Sequence, residues 1–258
     1  MLLACKKTSG IQYRLKELDL NIYSLEELCY FIFNFAVLIS RNFINNNLLQ
    51  YLDNELEMHD LVEIITNDIK ENKRMEVILI DILKYSNYYS DKDISQFIGE
   101  IEKLKKINQD EQLEKAGDTL RELNKYERAI RAYEKIKSKQ RPLLVKIANL
   151  YGKLQMFDKA VLYFEQAGMI SSDDDVLKKI YFIYKLNNTP ERFQEYADKV
   201  TLDKLTDWDV EYIEFKLQAD AKGQINVIDE MFLMDDKYII ENVSNLLAKF
   251  KNEYRNGF

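Results

Sequence analysis

The chain has 258 residues, of which 47% are hydrophobic and 31% are charged, and its net charge is -7 at neutral pH. This apolar content is enough for one long domain or two short ones, and it excludes a disordered chain. The acidic balance opposes general affinity for nucleic acid or for an anionic membrane, so we expect neither as a partner.

Glycine and proline are scarce, with 7 Gly and 2 Pro in the whole sequence. Because these residues punctuate turns and break helices, their scarcity predicts long helices joined by short polar loops. Two cysteines, Cys5 and Cys29, are too few for a disulfide framework and predict reduced thiols in a cytoplasm. No apolar stretch reaches the roughly 20 residues that a membrane-spanning helix requires.

The first residues also contain Leu2-Leu3-Ala4-Cys5, which is similar to a bacterial lipobox. A lipoprotein signal has a basic segment and an apolar stretch before the cysteine, whereas only four residues precede Cys5 here. We therefore do not expect lipid attachment, and a start further upstream is the alternative.

Residues 1–23 are predicted to form a small hairpin or an extended arm. Apolar residues alternate with polar ones at positions 11, 13 and 15 and again at 18, 20 and 22, and residues 8–10 are predicted to turn. Ser24 and Glu27 then have the spacing of a capping box, which predicts the start of a helix.

Residues 24–110 are predicted to be a helical region. Further helices are expected at 46–56, from Asp60, at 73–85 and after a cap at Asp91 or Asp93. Their apolar residues recur at spacings of three and four, so each helix needs a partner, and the short connections predict antiparallel neighbours.

From about residue 111 the sequence repeats itself. The stretch from Gly117 to Ile136 aligns without a gap with the stretch from Ala148 to Ala167. Both carry a small residue, then an aromatic, then an alanine, then a second aromatic. These are Tyr126, Ala129 and Tyr133 in the first copy and Phe157, Ala160 and Phe164 in the second.

This pattern resembles the tetratricopeptide repeat, in which small residues let paired helices cross closely and aromatics fill the space between pairs. The resemblance implies an all-α fold of antiparallel helix pairs stacked as a right-handed solenoid. Leu113 and Leu144 replace the family's tryptophan, and Asn124 and Gln155 replace its turn glycine. Pro142 falls at the junction between the two copies.

The rest of the chain is predicted to complete a domain of repeats over residues 111–258. A third copy is expected around residues 180–196, with its turn at Asn187–Pro190. A fourth helix pair is expected at residues 207–221 and 224–234, and a closing helix at residues 236–254. A solenoid of this kind needs at least three stacked units, which is why the flanking helices matter.

We find no motif for catalysis, a metal or a cofactor. The single histidine, His59, is expected at a helix entrance on the surface. No glycine-rich phosphate loop or nucleophile elbow is present. Residues 173–175 are three aspartates, which we expect to stabilise a helix N-terminus rather than to bind a cation.

The resemblance also implies a binding groove lined by the first helix of each pair. Its expected lining is Lys115, Arg121, Lys146, Asn149, Lys153, Lys178, Tyr181 and Lys185. Lysines beside an asparagine and a tyrosine suit an acidic or C-terminal peptide. Glu114 and Asp118 stand where the family's carboxylate-binding members have a lysine and an asparagine, and a solvated face of mixed charge explains the same residues.

We therefore expect a cytoplasmic, non-enzymatic scaffold that binds a protein or peptide segment, without a cofactor. The alternatives are a peptide-sensing bacterial regulator, for which residues 24–56 show no helix-turn-helix, and an enzyme with an unrecognised site. Pairing of two chains through an uncapped solenoid end or through the N-terminal arm stays open.

Overall fold

The computed structural model describes residue 5 and residues 7–40, 42–170, 174–220 and 247–248. The chain divides into two compact units, Met1–Ser138 and Lys139–Phe258. Within the described residues none of the helices is long and apolar enough to cross a membrane.

The first unit begins with a hairpin of two short antiparallel strands, β1 (Tyr13–Leu15) and β2 (Leu20–Ile22). Tyr13 lies opposite Ile22, and Leu15 lies opposite Leu20. The hairpin is confirmed, and its turn lies at residues 16–19, between the two alternating runs. Asp19 adopts a φ of 57° there, in the left-handed region that tight turns use.

Seven α-helices follow in the first unit. They are α1 (Leu25–Asn34), α2 (Asn46–Gln50), α3 (His59–Lys70), α4 (Met75–Ser86), α5 (Asp91–Lys106), α6 (Gln109–Glu122) and α7 (Tyr126–Glu134). A 3-10 turn at Ala36–Leu38 follows α1, and one turn of π-helix at Tyr51–Glu55 extends α2. The core lies between α1, α3 and α4, where Ile32, Leu61 and Ile82 are fully buried.

Helix caps in this unit follow the predicted chemistry, with two differences in detail. Ser24 accepts a hydrogen bond from the backbone N–H of Glu27, but the Glu27 carboxylate reaches the N–H of Tyr23 rather than that of Ser24. The cap of α5 is Ser90, not Asp91 or Asp93. Asp93 is the third residue of that helix and completes the capping box with Ser90.

The described part of the second unit is also helical. It comprises α8 (Arg141–Lys153), α9 (Phe157–Ile170), α10 (Asp174–Leu186), a 3-10 turn at Pro190–Phe193, α11 (Gln194–Ala197) and α12 (Leu202–Asp220). Pro142 lies in the first turn of α8, where its missing N–H has no helical partner to lose. The predicted all-α fold class with helical repeats is confirmed.

Two predictions for the second unit need correction. The third copy lacks a full second helix, because only the 3-10 turn and the single turn of α11 follow α10. The helix predicted at residues 207–221 begins earlier, at Leu202. The helices predicted at residues 224–234 and 236–254 lie outside the described residues, apart from Leu247 and Ala248, which are helical.

Candidate functional site

The paired helices of the repeats approach each other at small residues. Ala129, Ala148 and Ala160 are fully buried. A Cβ atom added to Gly117 would lie 2.3 Å from Cε1 of Tyr133, far inside van der Waals contact. Helices α6 and α7 therefore reach their spacing only because residue 117 is a glycine and the Tyr133 ring fills the space beside it.

Each repeat turns in the same way between its two helices. Asn124, Gln155 and Asn188 have φ values of 56°, 58° and 54°, in the left-handed region. In each copy the following N–H bonds back to a carbonyl of the last helical turn. These bonds are Lys125 to Leu120, Met156 to Tyr151 and Thr189 to Tyr184, at 2.8–2.9 Å. This is the Schellman motif, which also ends α3 at Asn72, where Lys73 bonds back to Asp68.

The expected groove residues of α8 lie on one polar face of that helix. Lys146 is half-buried, and Asn149 and Lys153 are exposed. Their spacings of three and four residues place them on the same side. Helix α8 contains three basic residues and no acidic one.

The expected groove residues of the first unit are on α6, and their surroundings are mixed in charge. Lys115 is exposed. Arg121 lies 3.4 Å from the Asp118 carboxylate, which also accepts a hydrogen bond of 2.7 Å from the Tyr133 hydroxyl. Asp118 therefore orients the buried ring of Tyr133 and partly neutralises Arg121.

The expected groove residues of α10 are engaged by α12. Lys178 forms an ion pair with Glu211, and Lys185 lies 2.9 Å from the Asp209 carboxylate. The Tyr181 hydroxyl donates a hydrogen bond of 2.7 Å to the same Asp209. Two carboxylates of α12, those of Asp209 and Glu211, therefore occupy the face of α10 that was expected to bind a partner.

An aromatic cluster holds α12 in this position. The indole of Trp208 lies 5.9 Å from the Tyr181 ring and 6.4 Å from the Phe193 ring, measured between centroids. Phe182 makes similar contacts with Tyr212 and Phe215. Since Trp208 is buried, apolar contact as well as charge fixes α12 on α10.

The ionisation of these groups reflects their contacts. Burial and the hydrogen bond to Asp209 raise the pKa of Tyr181. The Asp209 hydrogen bond raises the pKa of Lys185 against the opposing effect of burial. Burial would raise the pKa of Asp209, but hydrogen bonds from Lys185 and Tyr181 outweigh it and lower that pKa. At neutral pH the charged Lys185 and Asp209 and the neutral Tyr181 hydroxyl therefore form one hydrogen-bonded set.

His59 and two of the three aspartates that precede or open α10 are engaged in surface ion pairs. His59 is the first residue of α3 and is exposed, with Nδ1 2.6 Å from Asp53. Asp174 and Asp175 lie in the first turn of α10 and pair with Lys204 and Lys179. Within the described ranges, no three His, Cys, Asp or Glu side chains are placed to hold a metal ion.

One cleft of about 280 Å³ lies in the first unit, between the 3-10 turn after α1 and helices α4, α5 and α6. Its floor is apolar, formed in part by Leu79 and Ile101. The charged groups on its rim, Glu76 and Lys105, lie 3.3 Å apart and neutralise each other. The cleft therefore presents no isolated charge to a ligand.

The second unit contains six of the eight expected groove residues, and α6 of the first unit carries the other two, Lys115 and Arg121. Sequence reasoning missed Asp209, Glu211 and Trp208, which cover the α10 positions. A signal was present: the predicted fourth pair carries acids at residues 207, 209 and 211, opposite in sign to the lysines of the preceding first helix.

Comparison with known families agrees with this geometry. Residues 113–138 and 142–174 match the family model described as Tetratricopeptide repeat. These ranges cover the pairs α6–α7 and α8–α9. No curated protein and no solved structure matches the chain. Tetratricopeptide repeats generally mediate protein–protein interactions, through surfaces built from successive helix pairs. Residues 113–138 and 142–174 of this chain are therefore similar to tetratricopeptide repeats in both sequence and helix pairing.

Proposed function

We propose that the chain is a protein-interaction scaffold that binds an acidic segment of a partner on the polar face of α8. The residues that would contact this segment are Lys146, Asn149 and Lys153. Lysine ammonium groups would pair with carboxylates, and the Asn149 amide would hydrogen-bond the backbone of the segment.

The observation that carries this proposal is the contact between α10 and α12. Lys178, Tyr181 and Lys185 each stand 32 residues after a counterpart on α8, at positions 146, 149 and 153. On α10, these positions hold the carboxylates of Asp209 and Glu211. Helix α8 carries lysines at the two corresponding positions, Lys146 and Lys153. We therefore expect these lysines to pair with carboxylates as well.

The absence of acidic residues from α8 supports the same proposal. The lysines of this helix would attract an anionic segment and steer its approach, and salt would screen this attraction. We therefore expect binding to fall with ionic strength. Scaffold function needs no catalytic group, which is consistent with the surface pairing of His59.

The test is affinity capture from the lysate of the source organism, with bound proteins quantified by mass spectrometry. Wild type is compared with Lys146→Glu/Lys153→Glu and with Lys135→Glu/Lys137→Glu, which makes the same charge change on exposed lysines at the end of α7. We expect a partner that the first variant loses and the second retains. Thermal melts by circular dichroism check that both variants are folded.

Asn149→Glu provides a second variant that keeps both lysines. It adds a negative charge in the middle of the face, on an exposed side chain, so it should weaken capture without affecting the fold. Partner capture that survives both Asn149→Glu and the double reversal would contradict the proposed face.

A further inference from the structure

Helix α12 has an outer face that is apolar and exposed. Leu202, Val210, Ile213 and Leu217 keep 78%, 53%, 54% and 63% of their surface accessible. The last three follow one another at spacings of three and four residues, so they form a continuous stripe on the side of α12 away from Trp208. Exposed apolar stripes of this length mark interaction surfaces.

Acidic residues border this stripe along one side. Asp203, Asp207 and Glu214 are exposed, and the spacings of four and seven residues place them on one line beside Val210 and Leu217. Within the described residues, none of these three carboxylates takes part in an ion pair. The acids that hold α12 on α10, Asp209 and Glu211, flank the face of the helix that buries Trp208.

The charge of α12 excludes some occupants of the stripe. The helix carries six acidic and two basic residues, and one of the bases, Lys204, is paired with Asp174. A second copy of α12 would bring two acidic rows together, which is unfavourable because like charges repel. An acidic segment is disfavoured for the same reason.

We infer that the outer face of α12 docks a basic amphipathic helix of a partner protein. The apolar stripe of that helix would cover Val210, Ile213 and Leu217, and its lysines or arginines would pair with Asp203, Asp207 and Glu214. Recognition of this kind places an apolar helix face on an apolar surface and uses the charged border for orientation. This surface is separate from the polar face of α8 and takes a partner of opposite charge.

The test measures binding of labelled helical peptides to the full chain by fluorescence anisotropy, at about 0.15 M salt. The probe is a leucine–lysine peptide of about 18 residues, five helical turns, with its leucines on one face. A peptide of the same composition in scrambled order, and a leucine–glutamate peptide of the same pattern, serve as controls. We expect the probe to bind at least tenfold more tightly than either control.

Two sets of variants locate the binding on α12. Val210→Ser/Ile213→Ser/Leu217→Ser should weaken probe binding at least tenfold. The matched control, Ile69→Ser/Leu162→Ser/Leu186→Ser, changes three exposed apolar side chains elsewhere and should leave probe binding unchanged. Asp203→Asn/Asp207→Asn/Glu214→Gln should weaken binding several-fold and reduce its salt dependence. The matched control, Glu63→Gln/Glu122→Gln/Glu191→Gln, removes the same charge from other exposed positions.

Three results would overturn the inference. Equal binding of the scrambled peptide would show simple attraction to an acidic protein. Unchanged binding by the serine variant would show that the probe binds elsewhere. Absence of probe binding to wild type would show that the face does not accept a basic partner helix. None of these results bears on the α8 face.

Discussion

Gly117→Ala tests the close approach of α6 and α7. The added Cβ would lie 2.3, 2.5 and 2.8 Å from Cε1, Cδ1 and Cζ of Tyr133. Comfortable carbon contacts are about 3.5–4.0 Å, so the ring must move by roughly 1 Å. Tyr133 is fully buried and its hydroxyl is bonded to Asp118, so the ring has neither space nor freedom to move.

The expected cost follows from these contacts. Overpacking a closed core costs about 1–3 kcal/mol, and a displaced Tyr133 hydroxyl loses a hydrogen bond of about 1 kcal/mol. Against this loss, alanine stabilises the helix by up to about 1 kcal/mol, because it has a higher helix propensity than glycine. We expect a net loss of about 2 kcal/mol, which lowers the melting temperature by about 4–8 °C in a chain of this size.

The assay is thermal unfolding by circular dichroism, with Gly99→Ala as the matched control. Gly99 is an exposed residue of α5, and an added Cβ there meets nothing within 4 Å. Gly99→Ala should therefore gain about 0.5–1 kcal/mol. A Gly117→Ala protein as stable as wild type, or stabilised as Gly99→Ala is expected to be, would refute the close packing of Tyr133 on α6.

Three further substitutions test other parts of the structure. Gln155→Gly should raise the stability by about 0.5–1 kcal/mol in urea unfolding, because only glycine adopts a positive φ without strain. Asp209→Asn should lower the free energy that holds α12 on α10 by about 1 kcal/mol, so α12 should detach at a lower urea concentration. The fluorescence of the single tryptophan, Trp208, reports this transition. Asp81→Asn should raise the melting temperature near neutral pH, because burial and the neighbouring Asp68 carboxylate raise the pKa of Asp81 and make its ionised form unfavourable.

Each of these has a control. Asn124→Gly should gain less than Gln155→Gly, because asparagine tolerates a positive φ better than glutamine, and equal gains would contradict this argument. Asp207→Asn should leave the Trp208 transition unchanged, since Asp207 faces solvent. If both aspartate variants shift it alike, the specific role of Asp209 is wrong.

The pH dependence of Asp81→Asn has a defined sign. A raised pKa in the folded state means that the protonated form adds stability, which is fully present below the unfolded pKa and is lost as the pH rises through the folded pKa. The groups facing Asp81 are Asp68, Lys73 and Lys84. The gain from Asp81→Asn should therefore vanish near pH 3, below the usual carboxyl range. A gain of equal size at both pH values would contradict the electrostatic explanation.

Local signals in the sequence were sufficient for the helix pairs of the repeats. The alternation of small and aromatic residues identified Gly117, Ala129 and Tyr133 as contact positions, because close helix crossing leaves room only for that pattern. Pro142 marked the start of α8, since proline fits the first turn of a helix. The turn positions were recognised from alignment, although neither Asn124 nor Gln155 is the glycine that the conformation favours.

The sequence was less informative where tertiary packing decides the outcome. The apolar spacing of α3 and α4 includes Ile64, Ile69 and Val77, yet each of these side chains is 38–44% exposed. They lie on parts of α3 and α4 that pack against no other described helix. The pairing of Lys185 with Asp209 depends on how α12 crosses α10, which periodicity does not specify. Single-helix patterns show which faces are polar, but they do not show which polar faces meet.

The central claim, that the α8 face binds a partner segment, is tested most directly by photo-cross-linking. A photoreactive amino acid is placed at Asn149, and separately at Gln166, an exposed residue of α9, and each protein is irradiated in lysate of the source organism. We expect position 149 to form an adduct with an acidic segment of a partner protein, and we expect this adduct to disappear in Lys146→Glu/Lys153→Glu. Adducts that are identical at both positions, or that persist after the double reversal, would contradict it.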